Sequence, residues 1–236
     1  MVELLHEVPD RVLGVYAHPD DAEVSCGGTL AKFSRAGAEV HLVVCTRGEK
    51  GTVDPLADPI ALAQRRLEEV REAAALLGLH GCHQLGYPDG EIEDTPRLRA
   101  QLVTWVRRIR PVAVLCPDPT VLLFGDRYVN HRDHRVVGAA VLDAVAPAAA
   151  RPLYFPEAGP PHQVQQILLS GTLTPSVWVD ISKTMEDKSR ALSCHRSQLD
   201  DAEEWADAAV RERAAQEGRR AGVAHAEAFR LVHLGA

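Results

Sequence analysis

The feature that most constrains the fold is the regular alternation of short apolar segments with longer amphipathic ones in the first half of the chain. The apolar segments are rich in valine and leucine and are bounded by polar residues, which predicts strands. They are continuously apolar, as strands of a parallel sheet are when helices cover both faces. These predicted strands are RVLGVYA (11–17), EVHLVVCT (39–46), GCHQLGY (81–87) and VAVLCP (112–117).

Helices are predicted between these strands. Gly37 and Gly78 end the first two helices, and the third has Thr95 as its N-cap with Pro96 at its first helical position. The second half of the chain is less regular, and no linker divides it from the first. The remaining helices are predicted at 134–145, 184–198 and 200–222, and further short strands at 152–155 and 176–181. The whole pattern predicts one α/β domain over residues 1–236.

Composition limits the partners of this chain. Its formal net charge of −7 and pI near 5.9 argue against a nucleic-acid-binding surface. The longest apolar stretches are too short or too interrupted to span a bilayer, and the first residues lack the pattern of a targeting segment. Five cysteines without a C-x-x-C pair do not indicate a disulfide framework. We therefore expect a cytoplasmic protein without membrane span or nucleic-acid partner.

Polar side chains follow the first and fourth predicted strands. His18, Asp20 and Asp21 come directly after the first strand in the segment HPDD, and Asn130 to His134 (NHRDH) follow the fourth. Ligands of parallel α/β sheets bind beyond the carboxyl ends of the strands, and both segments belong to that edge. Each segment alone is also compatible with a solvated turn or helix start. Their shared edge favours a functional site.

The residue types indicate a metal. A catalytic zinc takes three protein ligands from His, Asp and Glu and leaves a position for water. His18 and Asp21 fit a pair close in sequence, and His134 fits the distant ligand. Because neighbouring side chains in an extended turn diverge, Asp20 would not bind the same ion. A carboxylate beside a metal-bound water suits a general base, and we assign that role to Asp20.

The second motif offers a further acid–base group. If a helix begins near Asn130 as its N-cap, then His131 and His134 share a face. One histidine could bind the metal while the other faces the substrate. His131 could stabilise an oxyanion or protonate a leaving amine, with Asp133 orienting it. Taken alone, Arg66 is an exposed helix charge.

At these residues the chain resembles the LmbE-like/PIG-L family, the N-acetylglucosaminyl-phosphatidylinositol de-N-acetylases. The segment AHPDDAEVSCGGTLAKFSRAGAEVHLVVCTRGEKGT is similar to the opening of the family, and RRLEEVREAAALLG to its R-x-x-E…AA-x-x-LG helix. The motifs LGYPDG and NHRDH follow in the expected order, and KSRALSCHRSQ and AEAFR resemble C-terminal signatures. The resemblance covers nearly the whole chain.

The resemblance implies a Rossmann-like three-layer fold, with a mostly parallel sheet flanked by helices, and a zinc-dependent amidohydrolase that removes acetyl from an N-acetylglucosamine-type conjugate. Zn²⁺ is the expected cofactor, with another divalent transition metal such as Fe²⁺ as the alternative. Residue by residue, the resemblance implies that His18, Asp21 and His134 are metal ligands and that Asp20 is the general base. It further implies that His131, with Asp133 behind it, acts at the oxyanion or the amine. Arg66 and Asp89 match residues that bind the sugar.

Some positions and roles stay open. Val129 stands where some members place an active-site tyrosine, and the adjacent Tyr128 is expected to point differently. Lys188, His195 and Gln198 could reach the site, line a subunit interface or serve packing. A small-molecule amino-sugar or amide is the expected partner, and homo-oligomers are frequent in this family. The alternatives are a thiol-conjugate or other amide hydrolase of the same fold, and a binding or regulatory module with a relict site.

Overall fold

The computed structural model describes residues 2–199 and 203–235. From Arg11 to Pro117, strands and helices alternate as the sequence predicts. The strands are β1 (Glu3–Leu4), β2 (Arg11–Tyr16), β3 (Glu39–Thr46), β4 (Gly81–Tyr87), β5 (Ala113–Pro117), β6 (Leu123–Phe124), β7 (Tyr128–Val129), β8 (Gln166–Ser170), β9 (Val177–Asp180) and β10 (Ala226–His233). The helices are α1 (Asp21–Arg35), α2 (Pro59–Leu76), α3 (Pro96–Ile109), α4 (Arg132–Val145), α5 (Met185–Leu192), α6 (Arg196–Leu199) and α7 (Glu203–Ala221).

Eight of these strands form one sheet in the order β1-β9-β10-β8-β5-β2-β3-β4. The strands β4, β3, β2, β5 and β8 pair in parallel, and β10 pairs antiparallel with both β8 and β9. The strands β6 and β7 form a separate hairpin. The predicted α/β class, a mostly parallel sheet flanked by helices, is confirmed.

Two apolar layers lie on opposite faces of the sheet. On one face, α3 and α4 pack against alternate strand residues such as Leu13 and Val15. On the other face, α1, α5 and α7 pack against the intervening residues Val12 and Tyr16. Because strand side chains alternate between faces, each central strand serves both layers and carries no solvent-facing side. The result is the three-layer arrangement that the apolar strands predict.

The strand predicted at 152–155 is wrong, and the segment is a turn beside the buried side chain of Arg107. The Arg107 guanidinium donates to the carbonyls of Tyr154 and Phe155, at 2.8 and 2.7 Å. It also donates to carbonyls at 148, 149, 151 and 159. These carbonyls accept hydrogen bonds from Arg107 instead of from a neighbouring strand. The apolar pattern of residues 152–155 does not indicate this distant partner.

Other boundaries differ from the prediction. The first helix begins at Asp21, six residues before the predicted start, and the helix predicted at 184–198 is divided into α5 and α6. The strands β8 and β10 were not predicted. Residues 200–202 of the last predicted helix lie outside the described residues, and α7 covers the remainder up to Ala221.

Gly138 allows α4 to approach the end of β5. A Cβ atom at Gly138 would lie 2.4 Å from the carbonyl oxygen of Pro117, closer than real Cβ atoms approach backbone. Glycine is therefore required for this contact. The close approach brings the N-terminal turn of α4 to the carboxyl edge of the sheet, beside the end of β2.

Within the described ranges, none of the helices combines the length and the apolar content that crossing a bilayer would require.

Candidate metal centre

The candidate site lies where β2 ends and α1 begins. His18 stands in the connecting turn, Asp20 is the N-cap of α1, and Asp21 is its first residue. Asp20 has a φ of +91°, in the left-handed region that favours glycine. This unusual backbone turn separates the side chain of Asp20 from that of Asp21. The divergence that the sequence predicts for the two carboxylates is therefore present.

Three donor atoms converge at this edge, and they belong to the three predicted ligands. His18 Nδ1 lies 3.1 Å from His134 Nε2 and 3.4 Å from Asp21 Oδ2. Asp21 Oδ1 lies 3.1 Å from His134 Nε2. Two histidines with one carboxylate form a donor set that suits a catalytic zinc with an open position. The structure thus brings together ligands that are more than a hundred residues apart in sequence.

Contacts on the outer side of each ring orient His18 and His134 so that one ring nitrogen of each faces the other donor atoms. His134 Nδ1 lies 3.0 Å from Asn130 Oδ1, so this nitrogen carries the proton and Nε2 presents its lone pair. His18 Nε2 lies 3.2 Å from Asp89 Oδ1 and 3.4 Å from Asp133 Oδ2, which favours a proton on Nε2 and a lone pair on Nδ1. These outer contacts fit the orientation that histidine ligands of metals require.

The charges of the three residues are complementary. Burial lowers the pKa of His18, but the carboxylates of Asp21, Asp133 and Asp89 outweigh burial and raise the pKa to about 12. Burial raises the pKa of Asp21, but His134 and His18 outweigh it and hold that pKa well below its usual range. A divalent cation would take the place of the protons on the histidines, so metal binding at this cluster must compete with acid.

Asp20 contacts α6 through one carboxylate oxygen. Its Oδ2 accepts a hydrogen bond from the side-chain amide of Gln198, at 2.7 Å. Burial, reinforced by the charge of Asp21, raises the pKa of Asp20 to about 7. A carboxylate with a pKa near neutrality is suited to accept a proton.

The helix α4 begins at Arg132, two residues before the predicted start, and its N-cap lies one residue after Asn130, the cap that the sequence suggests. The N-cap is His131, whose Nδ1 accepts from the backbone N–H of Asp133 at 3.2 Å, and Asn130 instead contacts His134. Since Nδ1 accepts, the neutral His131 ring carries its proton on Nε2. Burial and the charge of His18 lower the pKa of His131, which favours this neutral form.

The sequence predicts that Asp133 orients His131, but its carboxylate also contacts Gly90 and His18. Its side chain is fully buried, and its Oδ2 accepts from the backbone N–H of Gly90 at 2.8 Å as well as bordering His18. Its relation to His131 runs through its backbone N–H. His18, His131 and Asp133 also place donor atoms within 4.8 Å of one another, so a second metal grouping shares His18. In the first grouping the separations between donor atoms are 3.1 to 3.4 Å.

Arg66 and Asp89 differ in their access to the site. Asp89 is close to His18 Nε2 and keeps 12% of its side chain exposed. Arg66 is 1% exposed, and its guanidinium donates to the carbonyls of Gly48 and Gly51. The structure therefore places Asp89 directly at the cluster, and Arg66 one layer behind it as a support of the loop at residues 48–51.

A cavity of about 360 Å³ adjoins Asp21 and His134. Tyr128 lines it, contrary to the expectation that this side chain points elsewhere. Sequence reasoning also missed the contacts of Asn130 and Gln198 with the site residues. Asn130 belonged to the motif NHRDH but was read as a helix cap, and Gln198 belonged to a C-terminal signature without an assigned role. The other lining residues are Tyr16, Val24, Ser25, Pro117, Asp118, Phe124, Asn130, Ser170, Gly171 and Arg213.

The fold and the site together define a class: a three-layer α/β domain with a histidine–aspartate cluster that could hold a metal ion at the carboxyl edge of its sheet. The family model described as "PIG-L: GlcNAc-PI de-N-acetylase" matches residues 13–145, more than half of the chain. The chain belongs to the PIG-L family, as the resemblance of its motifs predicts.

Named relatives agree in the kind of reaction. The chain is 36% identical to the diacetylchitobiose deacetylase of Thermococcus kodakarensis, over 94% of this chain and 83% of that protein. It is 32% identical to the 1D-myo-inositol 2-acetamido-2-deoxy-alpha-D-glucopyranoside deacetylase of Streptomyces avermitilis, over 69% of this chain and 62% of that one, less than two thirds of its length. Both names denote deacetylases, hydrolases that act on an amide C–N bond, in agreement with the prediction.

A solved structure supports the fold. The N,N'-diacetylchitobiose deacetylase from Pyrococcus horikoshii, complexed with an inhibitor, superposes with a TM-score of 0.88 at 33% identity. The match covers 95% of this chain and 84% of that one.

Proposed function

We propose that this protein is a metal-dependent amidohydrolase that removes the acetyl group from an N-acetylglucosamine-type conjugate. The observation that carries the proposal is the convergence of His18, Asp21 and His134 beside the carboxylate of Asp20, in a chain of the PIG-L family. The three converging residues would hold Zn²⁺, and Fe²⁺ or another divalent transition metal is the alternative. A divalent ion there would supply Lewis-acid polarisation of the amide carbonyl and would lower the pKa of a water.

Asp20 acts as the general base. Its carboxylate takes a proton from the water that attacks the amide carbon. Burial and the charge of Asp21 raise the pKa of Asp20 to about 7, which makes its carboxylate a stronger proton acceptor than an exposed aspartate. The bond from Gln198 occupies Oδ2, so Oδ1 is the oxygen that receives the proton.

His131 acts on the other side of the reacting amide. The backbone N–H of Asp133 fixes its tautomer, so Nε2 holds the proton. That N–H donates to the oxygen on which negative charge develops. The proton that Asp20 takes from the water then passes to the departing amine. Asp133 thereby supports His131 through its backbone, while its carboxylate keeps His18 in place.

Asp89 and Arg66 serve the sugar at different distances. The partly exposed carboxylate of Asp89 is able to accept from sugar hydroxyl groups at the cluster. Arg66 acts on the substrate through the loop at 48–51, whose carbonyls it binds. Both roles follow the resemblance to the family and remain part of the proposal.

The cavity favours a second candidate function. A volume of about 360 Å³ beside Asp21 and His134 exceeds the space that an acetyl group fills and is in the range of small-ligand pockets. A thiol-conjugate or other amide hydrolase, with a larger group in this cavity, is therefore the alternative. Comparison of N-acetyl sugars with longer amides separates the two.

The test uses purified protein, measured metal content and the release of free amine from a panel of N-acetylglucosaminyl conjugates. We expect hydrolysis by the wild type and a loss of about 10²–10⁴-fold in kcat for Asp20→Ala, with the metal retained. Asp10→Ala, at an exposed position, is the matched control and should keep full activity.

Two results would contradict the proposal. A wild-type rate for Asp20→Ala on a hydrolysed substrate would refute the assignment of the base. Absence of a bound divalent ion, together with no activity after addition of Zn²⁺, would instead favour the relict binding module.

Three further statements stay predictions from the sequence: a single domain over residues 1–236, a cytoplasmic location and a homo-oligomeric state. Size-exclusion chromatography with light scattering measures the oligomeric state directly.

A further inference from the structure

The last residue of the motif KSRALSCHRSQ contacts Asp20, the general base of the proposed function. Gln198 lies on α6, and its side-chain amide donates to Asp20 Oδ2 at 2.7 Å. Because the acceptor is a carboxylate, the group that faces it must be the NH₂ and not the carbonyl of the amide. The contact joins residues 178 positions apart in sequence.

The conformation of Asp20 shows that this contact replaces another one. Aspartate at a helix N-cap ordinarily accepts from the backbone N–H groups of the first turn. Asp20 is the N-cap of α1, but its carboxylate makes no such bond, and its φ of +91° is one that side-chain-bearing residues rarely adopt. The side chain is therefore turned out of its usual capping position and toward Gln198.

Gln198 is itself held in place from a second helix. Glu69 of α2 is 3% exposed and accepts from both the backbone N–H and the hydroxyl of Ser197, at 2.8 and 2.6 Å. The carbonyl of His195 accepts from the backbone N–H of Gln198 at 3.0 Å. The short helix α6 is thus fixed at its start by buried groups, which fixes the residue that follows Ser197.

We propose that Gln198 is a positioning residue that holds the Asp20 carboxylate out of the helix cap, so that its free oxygen faces the reacting water. This inference rests on the proposed function for the role of Asp20. The neutral amide binds one carboxylate oxygen and leaves the other available. Without it, we expect Asp20 to turn back and accept from the first backbone N–H groups of α1, as N-cap aspartates do.

The first experiment needs no substrate. Crystal structures of the metal-loaded wild type and of Gln198→Ala are compared at the Asp20 side chain. We expect the carboxylate of the variant to rotate toward the N–H groups of residues 22 and 23. An unchanged Asp20 side chain in Gln198→Ala would overturn the inference, whether or not the protein hydrolyses amino sugars. Gln198→Met, which keeps the length of the side chain but has no donor, replaces Gln198→Ala if that variant does not fold.

The second experiment is a double-mutant cycle on a hydrolysed N-acetyl sugar. We expect Gln198→Ala to lower kcat by about 10–100-fold, the scale of a misplaced catalytic group, with KM and metal content within about twofold of the wild type. In an Asp20→Ala background the same change should lower kcat no further. Arg196→Ala, which removes an exposed side chain from the same helix, is the control with unchanged kcat.

The cycle separates positioning from general support of the fold. An equal loss of kcat in both backgrounds would show that Gln198 acts elsewhere and would overturn the inference. An inactive wild type would contradict the proposed function alone, because the crystallographic comparison still decides the position of Asp20.

Discussion

At the scale of single residues, a buried histidine behind the site is paired with a buried acid. His195 has no exposed surface, and its Nε2 lies 3.3 Å from Glu23 Oε2 in the first turn of α1. Burial lowers the pKa of His195, but Glu23, with Asp20 and Glu69 farther away, outweighs burial and raises it. The pair therefore favours the protonated ring in the folded protein.

The raised pKa of His195 predicts a pH dependence of stability. The unfolded histidine titrates near 6.5, and the folded one titrates higher. Below about pH 6.5 both states bind the proton and the stabilisation is fully present, and it is lost as pH rises through the folded pKa. We expect the free energy of unfolding, measured with urea at pH 6 and pH 9, to decrease more in the wild type than in His195→Gln.

The other groups that titrate between pH 6 and pH 9 are present in both proteins. Their contributions to the free energy of unfolding therefore cancel when the wild type is compared with His195→Gln. An equal decrease in the wild type and in His195→Gln would show that folding does not raise the pKa of His195.

At the scale of elements, the last strand, β10, contacts α1 at the point where this helix is interrupted. Cys26 has φ −148° and ψ 17° and interrupts α1 after its first turn. The helix restarts at Gly28 and Thr29, whose backbone N–H groups donate to the carboxylate of Glu227 on β10, at 3.1 and 2.7 Å. Lys188 Nζ donates to Glu227 Oε1 at 2.6 Å. The direction of the first turn, and hence of Asp21, depends on this buried group.

Removal of Glu227 should destabilise the protein strongly. Glu227→Ala leaves the charge of Lys188 buried and unpaired, and we expect a loss of about 3–5 kcal/mol in the free energy of unfolding, measured with urea. Glu212→Ala breaks an exposed pair with Arg219 and is the control, which should leave the free energy of unfolding nearly unchanged.

A second variant tests whether the unpaired charge of Lys188 causes the loss of stability. Glu227→Gln combined with Lys188→Met removes both charges, and it should regain part of the lost stability. A double variant as unstable as Glu227→Ala would indicate that the Lys188 charge is not the source of the loss.

The sequence predicts elements whose signals are local. The strands β2 to β5 are continuously apolar, and α3 has its cap and stop residues, so all were predicted. The strands β8 and β10 have weaker local signals, because β8 has only five residues and the charged residues Glu227 and Arg230 interrupt β10. Likewise, the predicted metal ligands lie in two compact motifs, whereas the contact of Gln198 with Asp20 depends on how α6 packs.

At the scale of the whole molecule, the candidate ligands come from both layers of helices. Asp21 begins α1 on one face of the sheet, and His134 lies on α4 on the other face. A bound divalent ion would therefore tie the two layers together at the edge of the sheet.

Metal removal should lower the thermal stability of the protein. Ligand at about 100 times its Kd adds roughly 2.7 kcal/mol to the folded state, which for a chain of this size is about 5–10 °C in Tm. We expect chelation to lower Tm by this amount and Zn²⁺ to restore it, measured by calorimetry. His134→Ala should show no such response, and an equal response in that variant would place the ion elsewhere.

The left-handed backbone at Asp20 has a consequence for evolution and design. Glycine would adopt this φ of +91° without strain, so the residue proposed as the general base is not the one that the local backbone prefers. A search for variants that considers thermostability alone would exchange Asp20 for glycine and retain a well-folded, catalytically silent protein. Stability and catalytic activity therefore favour different residues at position 20.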